Sequence, residues 1–360
     1  MPENSSLNNH AGRPGISIVV PVSRSRRTVE RLVRSIEETA PGELLVEVQL
    51  LLVGEPPAGI RSRNPVLKIE NIPVPVKHPG VRRNRGMAQA DYEVAALLDD
   101  DVLVTRSWFE TVHREYFRQG YRGVLTGPSN LIYADDFPER MSESLTNSPL
   151  SPFRSSHRTT VRKPVAATGI EFCNCVLTRS LWSEIGGFDE LGDWRIDDFL
   201  FACQALARGI PLVNHPELKI AHRRGDFPLA YYRWVWYEKF HQAKVFVHYP
   251  FIFGWDSYFL ALFLLTGAAG GLTAVFALRW LLWAGAVYLA LAYGIGVKTG
   301  VIRDFPIFLL TPPLQLISYL AACGGFYSGL VYGFLSRRSV SGIVGTVKDK
   351  LSTLESGDAI

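Results

Sequence analysis

Cysteine is scarce, and a strong charge of either sign is missing. Of the 360 residues only four are cysteines, and Cys173, Cys175, Cys203 and Cys323 lack the spacing of a zinc site. The formal net charge is only +4. No cluster of basic and aromatic residues marks a nucleic-acid surface, although Arg82, Arg83 and Arg85 form a local patch. Nucleic acid is therefore not an expected partner. A secretory leader is also lacking. Met1 to Gly15 are polar rather than basic and then apolar, so residues 1–14 are expected to be a disordered N-terminus. The soluble part is expected in the cytoplasm, where its thiols stay reduced.

Charge itself almost vanishes after residue 250. Phe251–Ala277 and Trp280–Val297 are each long and apolar enough to cross a hydrocarbon core of about 30 Å. Phe305–Leu335 is a third candidate, in which Pro312-Pro313 is expected to kink or break the helix. Residues 251–336 are thus expected to be an α-helical transmembrane region of two or three spans, followed by a polar tail over 337–360. Leu229–Tyr249, rich in aromatic and basic residues, reads as an interfacial amphipathic segment over 229–250. Arg233, Lys239 and Lys244 before the first span, and Lys298 with Arg303 after the second, favour the cytoplasmic side by the positive-inside rule. Three spans would leave Arg337-Arg338 and Lys348/Lys350 outside, against that rule.

In the soluble part, strand and helix alternate. Ile16–Val20 is a β-branched run ended by Pro21, and its last residues, Pro21-Val22, are expected at a crevice. Thr28 through Glu38 places Val29, Leu32, Val33 and Ile36 at helical spacing. Strands over Glu43–Val53 and Val66–Ile69, a helix near Arg83–Ala90 and the apolar run Tyr92–Leu98 follow. This order implies a mostly parallel sheet covered by helices, with ligands at the carboxyl ends of its strands.

At the end of that last run stand Asp99, Asp100 and Asp101. Adjacent carboxylates repel unless they share a cation, so the triplet reads either as a solvated acidic turn or as the site of a hard divalent ion holding phosphate oxygens.

Taken with Ile16–Val22, Arg83-Asn84-Arg85-Gly86, Gly186-Gly187-Phe188-Asp189 and Asp197-Asp198, the triplet gives an order of motifs that resembles family 2 glycosyltransferases over roughly residues 15 to 225. The resemblance implies a GT-A fold: α/β, with a mostly parallel sheet and helices on both faces, spanning residues 15–228. It also implies a nucleotide-diphospho-sugar donor, Mg²⁺ or Mn²⁺, and inversion at the anomeric carbon. Asp101 would be the principal metal ligand and Asp99 a donor-ribose or metal contact, with Asp100 facing solvent. His222 would complete the metal or diphosphate site. Arg83 and Asn84 match the family's donor-binding Arg-Asn-x-Gly, while Arg82 and Arg85 are expected to be solvated. Glu55 stands where most members carry an acidic pair that reads the base.

On the acceptor side lie Thr168-Gly169, the expected strand Phe172–Leu177 and Asp197. The aligned Asp198 is the expected general base, and both aspartates also suit the start of a helix over Phe199–Arg208. Tyr231-Tyr232-Arg233-Trp234 resembles the Gln-x-x-Arg-Trp signature of processive synthases, but Ala230 replaces the Gln. The expected activity is therefore non-processive transfer of one sugar to a lipid-linked or membrane-proximal glycan acceptor, by an integral protein of the inner or plasma membrane. A polyprenyl-phosphate acceptor and a catalytically silent membrane scaffold are the alternatives.

Overall fold

The computed structural model describes residues 13–23, 26–53, 60, 62, 64, 66–129, 136–147, 163–167, 170–190, 197–222, 228–248, 267, 278–299 and 305–335. These fall into an α/β unit, made of the described residues up to 129 and from 163 to 222, and a helical unit.

The α/β unit is built on β1 (Gly15–Val22), β2 (Leu45–Leu52), β3 (Leu67–Pro73), β4 (Val94–Leu98), β5 (Val102–Val104), β6 (Val124–Thr126), β7 (Val165–Ala166), β8 (Asn174–Thr178), β9 (Leu212–Asn214) and β10 (Ile220–His222). Eight of these form one sheet in the order β3-β2-β1-β4-β8-β6-β9-β7, and β10 pairs with β5 in a second. In the large sheet β8 and β7 run antiparallel to their neighbours, while the remaining pairs are parallel.

Side chains along a strand alternate between faces, and both faces of this sheet are apolar. Ile16, Ile18 and Val20 pack toward α1 (Arg26–Thr39) and α3 (Arg106–Val112), meeting Val29, Leu32, Ile36, Trp108 and Phe109. Val19, Ala95 and Leu97 face the opposite way. There they meet Met87 of α2 (Pro79–Gln89), Leu181 and Ile185 of α5 (Arg179–Ile185), and Phe201 of α6 (Asp197–Ala207). Each of the fully buried aliphatic or aromatic side chains contributes roughly 1.5–3 kcal/mol. This is the expected α/β class, with helix layers on both faces.

β1 and β3 both run further than expected. β1 continues through Pro21 to Val22; its pairing with β4 ends at Val19, so the proline interrupts no ladder on that side. β3 runs on to Pro73 because Val46–Leu52 offers it a full parallel partner.

The helical unit contains α4 (Phe137–Asn147), α7 (Leu229–His248), α8 (Leu278–Thr299) and α9 (Phe305–Leu335). Although α4 lies within the stretch assigned by sequence order to the catalytic region, its Ser144 Oγ is 2.9 Å from Thr311 Oγ1 of α9. Met141 and Leu145 pack with Tyr231, Val235 and Ile307. α7 crosses α9 closely where Gly325 meets the backbone of Trp236 and Gly329 that of Phe240.

Pro312 and Pro313 do not break α9, which is continuous from Phe305 to Leu335. Pro313 cannot donate to the carbonyl of Leu309 four residues back, and the Tyr293 hydroxyl of α8 donates to that oxygen instead at 2.5 Å. Among the described residues one segment, Leu309–Gly333, is long and apolar enough to cross a membrane, with mean hydropathy 1.3. The expected span Trp280–Val297 is helical, but its apolar part, Trp283–Gly294, is shorter than a crossing. Apart from Gly267, the expected first span, Phe251–Ala277, lies outside the described residues, as does the polar tail.

Candidate active site

The acidic triplet forms the turn between β4 and β5, at the carboxyl end of the central parallel strands. β5 pairs antiparallel with β10, and the register sets His222 opposite Val102, the residue after Asp101. His222 Nε2 therefore lies 3.1 Å from Asp101 Oδ1 and 3.9 Å from Asp99 Oδ2. One ligand atom from each of Asp99, Asp101 and His222 falls within 4.8 Å of the others. Two carboxylates and an imidazole at this spacing fit a divalent cation.

Asp100 does not face solvent. It is 2% exposed, and its Oδ2 accepts the backbone N–H of Ser23 at 2.7 Å. The middle carboxylate thereby ties the triplet to the end of β1, next to Pro21 and Val22.

Arg82 also departs from expectation. The phase of α2 turns it into the protein, and its Nη1 donates to the carbonyl of Val22 at 2.7 Å while Nη2 donates to that of Lys77 at 3.2 Å. Both acceptors are backbone carbonyls, one at the end of β1 and one in the loop before α2. Burial lowers its pKa from the ordinary arginine value. Arg85 is exposed, as expected.

Arg83 points at the acidic groups. Its Nη1 donates to Asp197 Oδ2 at 2.9 Å and its Nη2 to Asp99 Oδ1 at 3.2 Å. The guanidinium lies over the Phe172 ring, 4.8 Å from its centroid. Asp197 opens α6, and its Oδ1 accepts the N–H of Asp198 at 3.0 Å. Burial raises the Asp197 pKa above its ordinary value, opposed by Arg83 and by that N–H. Asp198 is half-buried in the first turn of α6.

Asn84 faces the Gly186–Phe188 loop. Its Oδ1 accepts from Phe188 N–H at 2.8 Å and from Trp182 Nε1 at 3.1 Å, and its Nδ2 donates to Phe188 O at 2.8 Å and to Glu190 Oε1 at 2.7 Å. Gly86, the last residue of the same motif, lets α2 lie against Val19, which a Cβ would overlap. The motif thus fixes a helix against both sheet and loop, and Arg83 is its member directed at the carboxylates. A shallow groove of about 580 Å³ on the outer side of this lock includes Asn84, Trp182 and Glu190 and excludes Asp99, Asp101 and His222.

The structure therefore gathers Asp99, Asp101, His222, Arg83 and Asp197, with Asp198 adjoining, and sets Pro21 and Val22 at the neighbouring strand end. Glu55 and Gly169 lie outside the described residues. The role of Phe172 beneath Arg83 is not legible in the sequence, where it stands only as the start of a strand.

No protein-family model and no curated relative matches the sequence. Solved structures similar to the chain include the following two. One is GalNAc-T7 with UDP, GalNAc and Mn²⁺, at 18% identity and TM-score 0.45, over 67% of this chain and 51% of that one. The other is the mannosyltransferase PcManGT from Pyrobaculum calidifontis with GDP-Man and Mn²⁺, at 16% identity and TM-score 0.48, over 88% of each chain. The chain spans about half the length of the first. At these similarities neither carries its ligands or reaction over to this chain.

Proposed function

We propose that the protein is a cation-dependent, inverting glycosyltransferase of the family 2 type, transferring a sugar from a nucleotide-diphospho-sugar. The observation that carries this reading is the Asp99–Asp101–His222 cluster at the strand ends, joined through Arg83 to Asp197 at the start of α6. Arg83, Asp99 and Asp197, from three of the motifs that resemble that family, meet there.

Asp101, Asp99 and His222 would hold Mn²⁺ or Mg²⁺, and a bound cation would neutralise charge developing on the departing diphosphate. Pro21 and Val22 border the donor pocket, with Arg83 and Asn84 shaping its α2 wall and Glu55 assigned to the base. Asp197 and Gly169 are assigned to the acceptor side. Asp198 takes the proton of the acceptor hydroxyl as its oxygen attacks the anomeric carbon. The bond from that carbon to the diphosphate oxygen breaks with its electron pair, and the nucleoside diphosphate leaves.

The helical unit supports membrane attachment through Leu309–Gly333. Leu310, Leu316, Ile317 and Leu320 of α9 and Trp283, Val287 and Leu291 of α8 are exposed apolar side chains of the kind that lipid would cover. We accordingly read the acceptor as lipid-linked or membrane-proximal, with the catalytic residues in the cytoplasm.

The test is full-length protein in native lipid extract with a panel of nucleotide sugars and Mn²⁺, read by mass spectrometry. A lipid heavier by one hexose-type residue is expected, with Asp198→Asn slower by a factor on the order of 10² or more. No product from any donor would overturn the activity, and near-wild-type turnover by Asp198→Asn would overturn the base assignment.

A further inference from the structure

We infer that Arg83 is a positioning residue that couples the cation cluster to Asp197, so that the two sides of the crevice do not bind independently. The inference rests on reading Asp99, Asp101 and His222 as a cation site. Its basis is the division of one carboxylate between two environments. Asp99 Oδ1 accepts from Arg83 Nη2 at 3.2 Å, while Asp99 Oδ2 lies on the side of His222 Nε2, 3.9 Å away. The same guanidinium reaches Asp197 Oδ2 through Nη1 at 2.9 Å.

Arg83 has little freedom to respond in any other way. It is 6% exposed and lies over Phe172, so it cannot leave the carboxylates for solvent. A planar guanidinium can hold two carboxylates at once through separate nitrogens, which a lysine ammonium on a flexible stem does poorly. Asp99 and Asp197 therefore share one cationic group. Neutralising Asp197 leaves the guanidinium to Asp99 alone, which makes Asp99 a poorer cation ligand. In the other direction, a cation that draws on Asp99 leaves more of Arg83 to Asp197, and so steadies the first turn of α6, where Asp198 follows. The two effects are one coupling free energy seen from its two ends.

A double-mutant cycle separates this bridge from the plain loss of a nearby negative charge. Mn²⁺ is titrated by calorimetry into full-length protein in detergent, as wild type, D197N, R83K and R83K/D197N. Residues in one buried network commonly couple strongly enough that D197N should weaken Mn²⁺ binding on the order of tenfold in the wild-type background. In the R83K background, where the fork is gone, the same substitution should change it by less than about twofold. Equal weakening in both backgrounds, or none in either, would overturn the coupling while leaving the cation site intact. Failure of the wild type to bind Mn²⁺ would instead overturn the cation reading and the coupling with it. Circular dichroism melting confirms that each variant is folded, and R83Q takes the place of R83K in the cycle should R83K fail to fold.

Discussion

His222 Nε2 stands 3.1 Å from Asp101 Oδ1, and a ladder of three residue pairs between β5 and β10 brings them together. The imidazole reaches the acidic turn from the end of a strand whose backbone is already paired, so its approach does not depend on a flexible loop.

Cation preference follows from that pairing. Replacing His222 with Ala removes the nitrogen donor and leaves both carboxylates. Mn²⁺ affinity should fall by a factor on the order of 10, while Mg²⁺, which prefers oxygen, should change by less than about threefold. Asp101→Asn should weaken both ions. Calorimetric titrations with the two metals check this, and an equal loss of both in His222→Ala would place the imidazole outside the cation's ligands.

Support for the site from beneath is tested at Asn174. This fully buried residue accepts from Trp108 Nε1 at 2.9 Å and donates to the carbonyls of Gly127 and Leu218 at 3.1 and 2.7 Å, just ahead of the strand that ends in His222. Asn174→Leu would leave three buried polar groups unsatisfied, at about 2–4 kcal/mol. The melting temperature should drop by roughly 5–10 °C. A melting temperature unchanged within error would show that the network contributes little.

Much of the α/β unit was legible because periodicity reports burial directly. The β-branched run Ile16–Val20 and the helical spacing of Val29, Leu32 and Ile36 match the buried strand and the helix observed. The triplet was visible as chemistry, but its internal division was not. Solvent exposure of Asp100 depends on a backbone N–H at Ser23, distant in sequence, and local composition carries no signal for such a bond. Arg82 differs from expectation for a related reason: adjacent arginines look alike in sequence, and the phase of α2 sends both inward to different partners. In the helical unit, Pro312-Pro313 signalled a break. The compensating tyrosine sits on another helix, where no pattern local to α9 could show it.

The pH dependence of stability carries the signature of Asp197. Its folded pKa is raised above the ordinary 3.8 by burial, against the opposing pull of Arg83. A raised carboxyl pKa means that the folded state holds the proton more tightly than the unfolded chain does. This contribution is fully present below the unfolded value and is lost as pH rises through the folded one. The wild-type melting temperature minus that of Asp197→Asn should therefore be largest in acid, decline as pH climbs above about 3.8, and level off once Asp197 is ionised in both states. Melting curves of both proteins from acid to neutral pH measure this. A difference that grows with pH would mean that the ionic pair with Arg83 outweighs burial and that the folded pKa is lowered instead.

The helical unit offers a contrast between two glycines on apolar helices. A Cβ on Gly325 would overlap the carbonyl of Trp236 on α7, whereas one on Gly294 of α8 meets nothing within 4 Å. Backbone cannot yield as a side-chain tip can, so even Gly325→Ala must push α7 and α9 apart and weaken the packing of Trp236 and Phe240 along the crossing. Gly294→Ala changes only helix propensity and should stabilise by about 0.5–1 kcal/mol. In detergent the first substitution should lower the melting temperature of the unit and the second should leave it equal or slightly higher. Equal melting of Gly325→Ala and the parent protein would show that the close crossing of α7 and α9 does not hold the unit together.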